Sequence, residues 1–196
     1  MFQFQASAPL DLTIYPEPAL DDRAGPPLSQ GFLLTLIGTV ADDYCSPSTR
    51  ATIAQVDPQA WYHGQLLESV LNEFERSDPA LPGEVGKNIY YTLRSQFTAM
   101  GLNTPSDVVQ TLPQIWQFVT RGDSGEWRSA MLGTGHAQFE AAQPYNCRFE
   151  EGAVVGALEA FDAADVQIVH TQCMRDGAQC CVFDVRWTEE QDAASK

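Results

Sequence analysis

The chain has 196 residues, enough to bury a full core in one domain without staples. Its formal net charge is −15 and its only lysines are Lys87 and Lys196, which argues against nucleic-acid phosphates and anionic membrane surfaces as partners. The longest apolar run, Gly31 to Val40, is too short to span a bilayer, and the opening Met-Phe-Gln-Phe-Gln lacks the regions of a signal peptide, so a cytoplasmic protein without membrane insertion is expected, its five cysteines reduced.

Residues 1–27, punctuated by Pro9, Pro16, Pro18, Pro26 and Pro27, read as an irregular arm. The stretch from Ser29 to Tyr44 suits either a helix or a buried strand. Asp57-Pro58 reads as an N-cap and first helical position, opening a helix over 58–76 whose stripe is Trp61, Leu66, Val70, Leu71 and Phe74. Leu81-Pro82-Gly83 reads as a break, followed by a helix from Glu84 to Met100 with Gly101 beyond its end. Thr104-Pro105 opens a third helix in which Pro113 marks a kink or break.

The pattern then changes. Glu126–Leu132 and His136–Ala142 read as strands joined by a Gly-containing hairpin. Glu150–Phe161 reads as a helix whose Gly152 and Gly156 let its backbone approach a neighbour. Val166–Met174 and Cys180–Trp187 read as strands flanking Arg175-Asp-Gly-Ala178. The expected fold is α+β: a helical layer packed on a four-stranded antiparallel sheet, with β-β-α-β-β order in the C-terminal half. The boundaries follow as one domain over 28–188, split into a helical half (28–125) and a sheet half (126–188), with a polar tail at 189–196.

Cys147, His170, Cys173 and Cys181 fall at a spacing that can build one metal site, because thiolate and imidazole are the ligands that zinc prefers. Four protein ligands would leave no open position, making the zinc structural. The competing reading is buried, reduced cysteines. On a flat strand His170 and Cys173 point to opposite faces, so the site needs a bulge there or an end to the strand. Cys180, beside Cys181, faces the other way and reads as a separate thiol.

Cys173-x3-Gly177-x3-Cys181-x-Phe183, with His170 before it and Phe149-Glu-Glu-Gly152 opening a helix, resembles the 4-vinyl reductase domain. That domain looks like a relative of the H-NOX fold and of small trafficking subunits of the TRAPP complex. The motif covers about residues 126–188; the helical half matches in layout. The resemblance implies a small hydrophobic molecule held between helices and sheet, beside a zinc site. It maps the zinc ligands onto Cys147, His170, Cys173 and Cys181, with His170 replacing an acidic ligand.

On this resemblance Trp61, Tyr90, Tyr91, Phe97, Trp116 and Trp127 become candidates for a ligand pocket; by themselves they suit an ordinary core. The Tyr-x-Ser-x-Arg pattern of H-NOX domains is absent, so heme is not expected; His63 and His136 are the residues that could ligate one. The adjacent acidic pairs Asp42-Asp43, Glu150-Glu151 and Glu189-Glu190 read as exposed charge, and no phosphate loop, nucleophile elbow or His-Glu-x-x-His helix is present. The expected function is a non-catalytic sensor or carrier for a hydrophobic or tetrapyrrole-like ligand, dimeric and signalling to a separate protein. The alternatives are an accessory protein of tetrapyrrole metabolism and a dimeric interaction subunit without ligand.

Overall fold

The computed structural model describes residues 3–189; residues 1–2 and 190–196, which include Glu190 and most of the polar tail, lie outside the described residues. Through the arm, residues 3–27, the prolines withhold backbone donors and the chain forms only one short strand, β1 (Ile14–Tyr15). The arm is nevertheless docked: the Phe4 ring lies 5.1 Å from that of Tyr145, and the Gln5 backbone exchanges hydrogen bonds with the Gln65 amide at 2.7 and 3.0 Å.

A small sheet unforeseen in the sequence follows. β1 pairs with β3 (Trp61–His63), β3 with β2 (Leu28–Gln30), and β2 with β4 (Thr120–Arg121), all antiparallel. Strands this short carry no readable alternation. They correct the helix start expected at Asp57. Asp57 instead closes a turn, accepting from Gln59 N–H at 2.8 Å, and Trp61 and Tyr62 are buried as strand residues. The helix, α3 (Gly64–Ser77), begins later, with His63 Nδ1 accepting from Gln65 N–H at 3.1 Å.

Before it come α1 (Gly31–Val40) and α2 (Pro47–Ile53), so Ser29 to Tyr44 resolves into the end of β2, a helix and a 3-10 turn. The Ser46-Pro47 start of α2 is a local signal that the sequence reading passed over: the Ser46 side chain accepts from Thr49 N–H. α4 (Leu81–Ala99) absorbs Leu81-Pro82-Gly83 into its first turn, where a proline loses nothing, so the expected break is absent. α5 (Pro105–Val119) starts on a capping box between Thr104 and Asp107.

Pro113 does not break α5, and the reason is tertiary. Proline has no N–H for the carbonyl four residues back, that of Val109. Ser129 Oγ, on the neighbouring strand, donates to that carbonyl at 2.5 Å.

The larger sheet has the order β5-β6-β8-β7, antiparallel throughout: β5 (Glu126–Gly133), β6 (His136–Ala142), β7 (Ala163–Gln172) and β8 (Cys181–Glu189). Between β6 and β7 runs α6 (Cys147–Ala160), capped by the Asn146 side chain, which completes the β-β-α-β-β order. Ala137, Phe139 and Ala141 on β6, and Phe183, Val185 and Trp187 on β8, alternate into the core. On its other side α6 packs on α4 with no side chain between the backbones. A Cβ on Gly152 would sit 1.9 Å from the Gly83 carbonyl oxygen, and one on Gly156 would sit 2.3 Å from that of Lys87. The close approach expected of these two glycines is observed.

Candidate functional site

Two features meet near the start of α6. The first is a cluster of thiols. Cys147 is the first residue of α6, Cys173 follows β7, and Cys181 opens β8. Their three sulfurs lie within 4.8 Å of one another, and Cys147 Sγ is 3.8 Å from Cys173 Sγ. The loop joining Cys173 to Cys181 is closed by the Ala178 N–H on the Cys173 carbonyl at 3.1 Å and turns through Gly177 at a φ of 93°. Met174 N–H donates to Cys181 Sγ at 3.4 Å.

A tetrahedral zinc with metal–sulfur bonds of about 2.3 Å requires sulfurs about 3.8 Å apart. The Cys147–Cys173 spacing matches that requirement and far exceeds a disulfide bond, and Cys181 lies within 4.8 Å of both. The Cys147 thiol is pushed up by donating to Cys181 and by burial, and Cys181 is pushed down by accepting that bond.

His170 stands outside this group. The β7–β8 register shifts between His170 and Gln172, supplying the irregularity that the strand needed, but the imidazole turns elsewhere. Its ring lies 4.5 Å from that of Phe183, its Nδ1 is 3.8 Å from Glu151, and its Nε2 is buried without a hydrogen-bond partner. Cys180 is half-buried and Cys45 is buried; neither joins the three sulfurs.

Cys147 and Cys181 also line an open cleft of about 650 Å³ together with Glu68, Glu75 and Arg175. Arg175 bonds Glu75 at 2.8 Å and Glu68 at 3.3 Å. Desolvation pushes Glu68 up to about 7, and its Oε2 has no partner.

The second feature is an apolar cavity of about 340 Å³ between α1, α4, α5 and α6. Of the six aromatic candidates, Tyr90, Phe97 and Trp116 line it. The other three do not. Trp61 sits in the small sheet under the Arg121 guanidinium at 4.6 Å, Tyr91 is on the surface bonding Glu159 at 2.5 Å, and Trp127 packs on Phe139 and Phe183. Tyr145, Phe149 and Glu150 line the cavity and were missed.

Glu150 corrects the reading of Glu150-Glu151 as a surface pair, for it is only 5 % exposed. Burial pushes it up to about 8, with nearby Cys147 and Glu68 adding to the effect, while a hydrogen bond from the Trp116 side chain opposes it. The signal was available: Glu150 is four residues before Val154 and shares its inward helical face.

No family model matches the chain, and no curated protein matches it. Solved structures do. A triple mutant of an H-NOX protein from S. oneidensis, in the Fe(II) ligation state, matches with a TM-score of 0.68 and 16% identity over 83% of this chain and 98% of its own. A structure from a study of heme distortion in the H-NOX family matches with a TM-score of 0.63 and 11% identity, over 86% of this chain and 99% of its own. A point mutant of T. Tengcongensis H-NOX matches with a TM-score of 0.59 and 10% identity, over 81% of this chain and 94% of its own.

These likenesses overturn the expectation against heme, since the architecture is that of domains studied for their heme. The residue-level fit is mixed. His63 caps α3, and His136 bonds Asp184 at 2.9 Å; among the described residues the cavity is lined by no histidine, lysine or arginine. The lining therefore does not fit a histidine-ligated heme with cation-paired carboxylates, and the phenols of Tyr90 and Tyr145 are the axial groups it could offer. No helix among the described residues is long and apolar enough to cross a membrane. At these identities the likeness establishes the architecture: the chain has the H-NOX fold.

Proposed function

We propose that this chain is a non-catalytic small-molecule-binding domain of the sensor or carrier type, of the 4-vinyl reductase kind within the H-NOX fold, with a structural zinc beside its ligand cavity. The observation that carries the reading is the cavity between helices, bounded by Tyr90, Phe97, Trp116 and Phe149. Such concave apolar space with a few polar groups is what ligand sites are made of. The fold neighbours add that this architecture houses a prosthetic group in other proteins.

In this reading Cys147, Cys173 and Cys181 hold zinc, and His170, which stands apart from them with its Nε2 buried and unpartnered, would have to turn toward them to supply the fourth ligand. Zinc there ties the start of α6, which borders the cavity, to the β7–β8 loop. Occupancy of the cavity is then passed through α6 to a separate partner protein.

The test is native mass spectrometry with elemental analysis, followed by titration with hemin read at the Soret band. A co-purified small molecule or saturable uptake of an added one, with about one zinc per chain, supports the reading. A chain that takes up neither hemin nor any apolar probe overturns the cavity assignment. Less than half an equivalent of zinc, in protein prepared without chelator, overturns the metal assignment.

A further inference from the structure

Glu150 gives the cavity a charge preference, and this inference rests on the cavity being a ligand site. Among the described residues that line the cavity, Glu150 is the sole carboxyl and no basic side chain faces it. The other ionisable groups in the lining, Tyr90 and Tyr145, are phenols pushed upward by desolvation and so stay neutral. The side-chain hydrogen bond that Glu150 receives comes from Trp116, which leaves most of its acceptor positions open. Without a cation such a buried carboxyl keeps its proton, and a positive charge placed against it is what draws it into the ionised form.

The rest of the lining suits a cation. Tyr90, Phe97, Trp116, Tyr145 and Phe149 supply aromatic rings, whose faces attract ammonium groups. A carboxylate or phosphate guest would meet repulsion and find no counter-charge. Met100 and Phe118 line the cavity while 53 % and 56 % exposed, so an apolar guest can enter beside them.

We infer that the cavity takes a hydrophobic amine, its ammonium placed against Glu150 and its apolar body among the rings of Tyr90, Phe97 and Trp116. Anionic guests of the same size are excluded, and neutral ones are held less tightly.

The experiment uses the full chain and three probes with one aromatic body: 2-phenylethylamine, 2-phenylethanol and 3-phenylpropanoate. Binding is read by calorimetry and by tryptophan fluorescence. Near pH 8, where Glu150 can ionise, the amine is expected to bind at least about tenfold more tightly than the alcohol, with the carboxylate weakest. Glu150→Gln, close in shape, should bring the amine level with the alcohol and leave the alcohol unchanged.

An alcohol or carboxylate that binds as tightly as the amine overturns the charge preference while leaving the cavity a ligand site. An amine preference that survives Glu150→Gln overturns the role of Glu150. Failure of all three probes to bind overturns the inference; uptake of hemin in the earlier test would still preserve the ligand site. Should Glu150→Gln fail to fold, the three-probe ranking on the unaltered chain decides.

Discussion

Cys147 Sγ lies 3.8 Å from Cys173 Sγ although the two are 26 positions apart, one at a helix start and the other past a strand end. Reduced thiols gain little from such proximity, whereas a shared zinc requires it. Replacing Cys173 with serine is expected to drop zinc below half an equivalent and to lower the melting temperature, because metal binding and folding are coupled. Chelator should lower the melting temperature of the unaltered protein and leave that of the serine variant unmoved. An unchanged zinc content in the variant would sink the three-sulfur site.

His170 offers a separate prediction. If its Nε2 completes the zinc sphere, His170→Ala should weaken zinc affinity by about tenfold or more in a competition titration, the scale seen even when only the partners of ligands are removed. Equal affinity in the variant would leave the three sulfurs as the whole protein ligand set.

Gly152 faces Gly83 with no room for a methyl group. Gly152→Ala pushes α6 off α4 and is expected to cost about 1–3 kcal/mol, read as a lower denaturation midpoint with an unchanged slope. Gly177→Ala tests a different cause, since open space surrounds it and only its positive φ resists a side chain. It should cost about 1–2 kcal/mol.

Ser129 and Pro113 form a coupled pair. Ser129→Ala leaves the Val109 carbonyl unbonded and should cost about 1–3 kcal/mol. Pro113→Ala restores a backbone N–H for that carbonyl, so serine removal should cost less in the alanine background. A double-mutant cycle with no coupling energy would refute the substitution of one donor for the other.

Glu150 makes stability depend on pH. Its folded-state value, about 8, lies above the ordinary carboxylate value of 4.5, so between these the folded chain holds a proton that the unfolded chain has released. Stability from this group is fully present below about pH 4.5 and is lost as pH rises through about 8, at about 1.4 kcal/mol per pH unit. Melting curves from about pH 5 to 8 should show Glu150→Gln losing less stability than the unaltered chain; parallel profiles would contradict it.

Much of this molecule was legible in one dimension. The capping box at Thr104 and Asp107, the hairpin turn before His136 and the spacing of Gly152 and Gly156 are local signals, each within a few residues of what it controls. They suffice for the order of elements and hence the α+β class. The cysteine spacing named three sulfurs that do meet, because Cys173 and Cys181 flank one short loop and only Cys147 had to arrive from afar.

What the tertiary structure decided depends on distant partners. Trp61 lies in the same apolar stretch as Leu66 and Val70, yet it pairs with Tyr15 and Gln30 in a sheet whose strands are too short to show a period. Pro113 stays within a helix because Ser129, on a strand, donates to the Val109 carbonyl that the proline leaves unpaired. His170 remains apart from the sulfurs because its ring packs on Phe183. Glu150 looks like surface charge beside Glu151, but helical geometry turns it into the apolar cavity while Glu151 stays nearer solvent. The residue types were in the chain; their pairing across long separations, and the burial that changes their chemistry, exist only in the folded molecule.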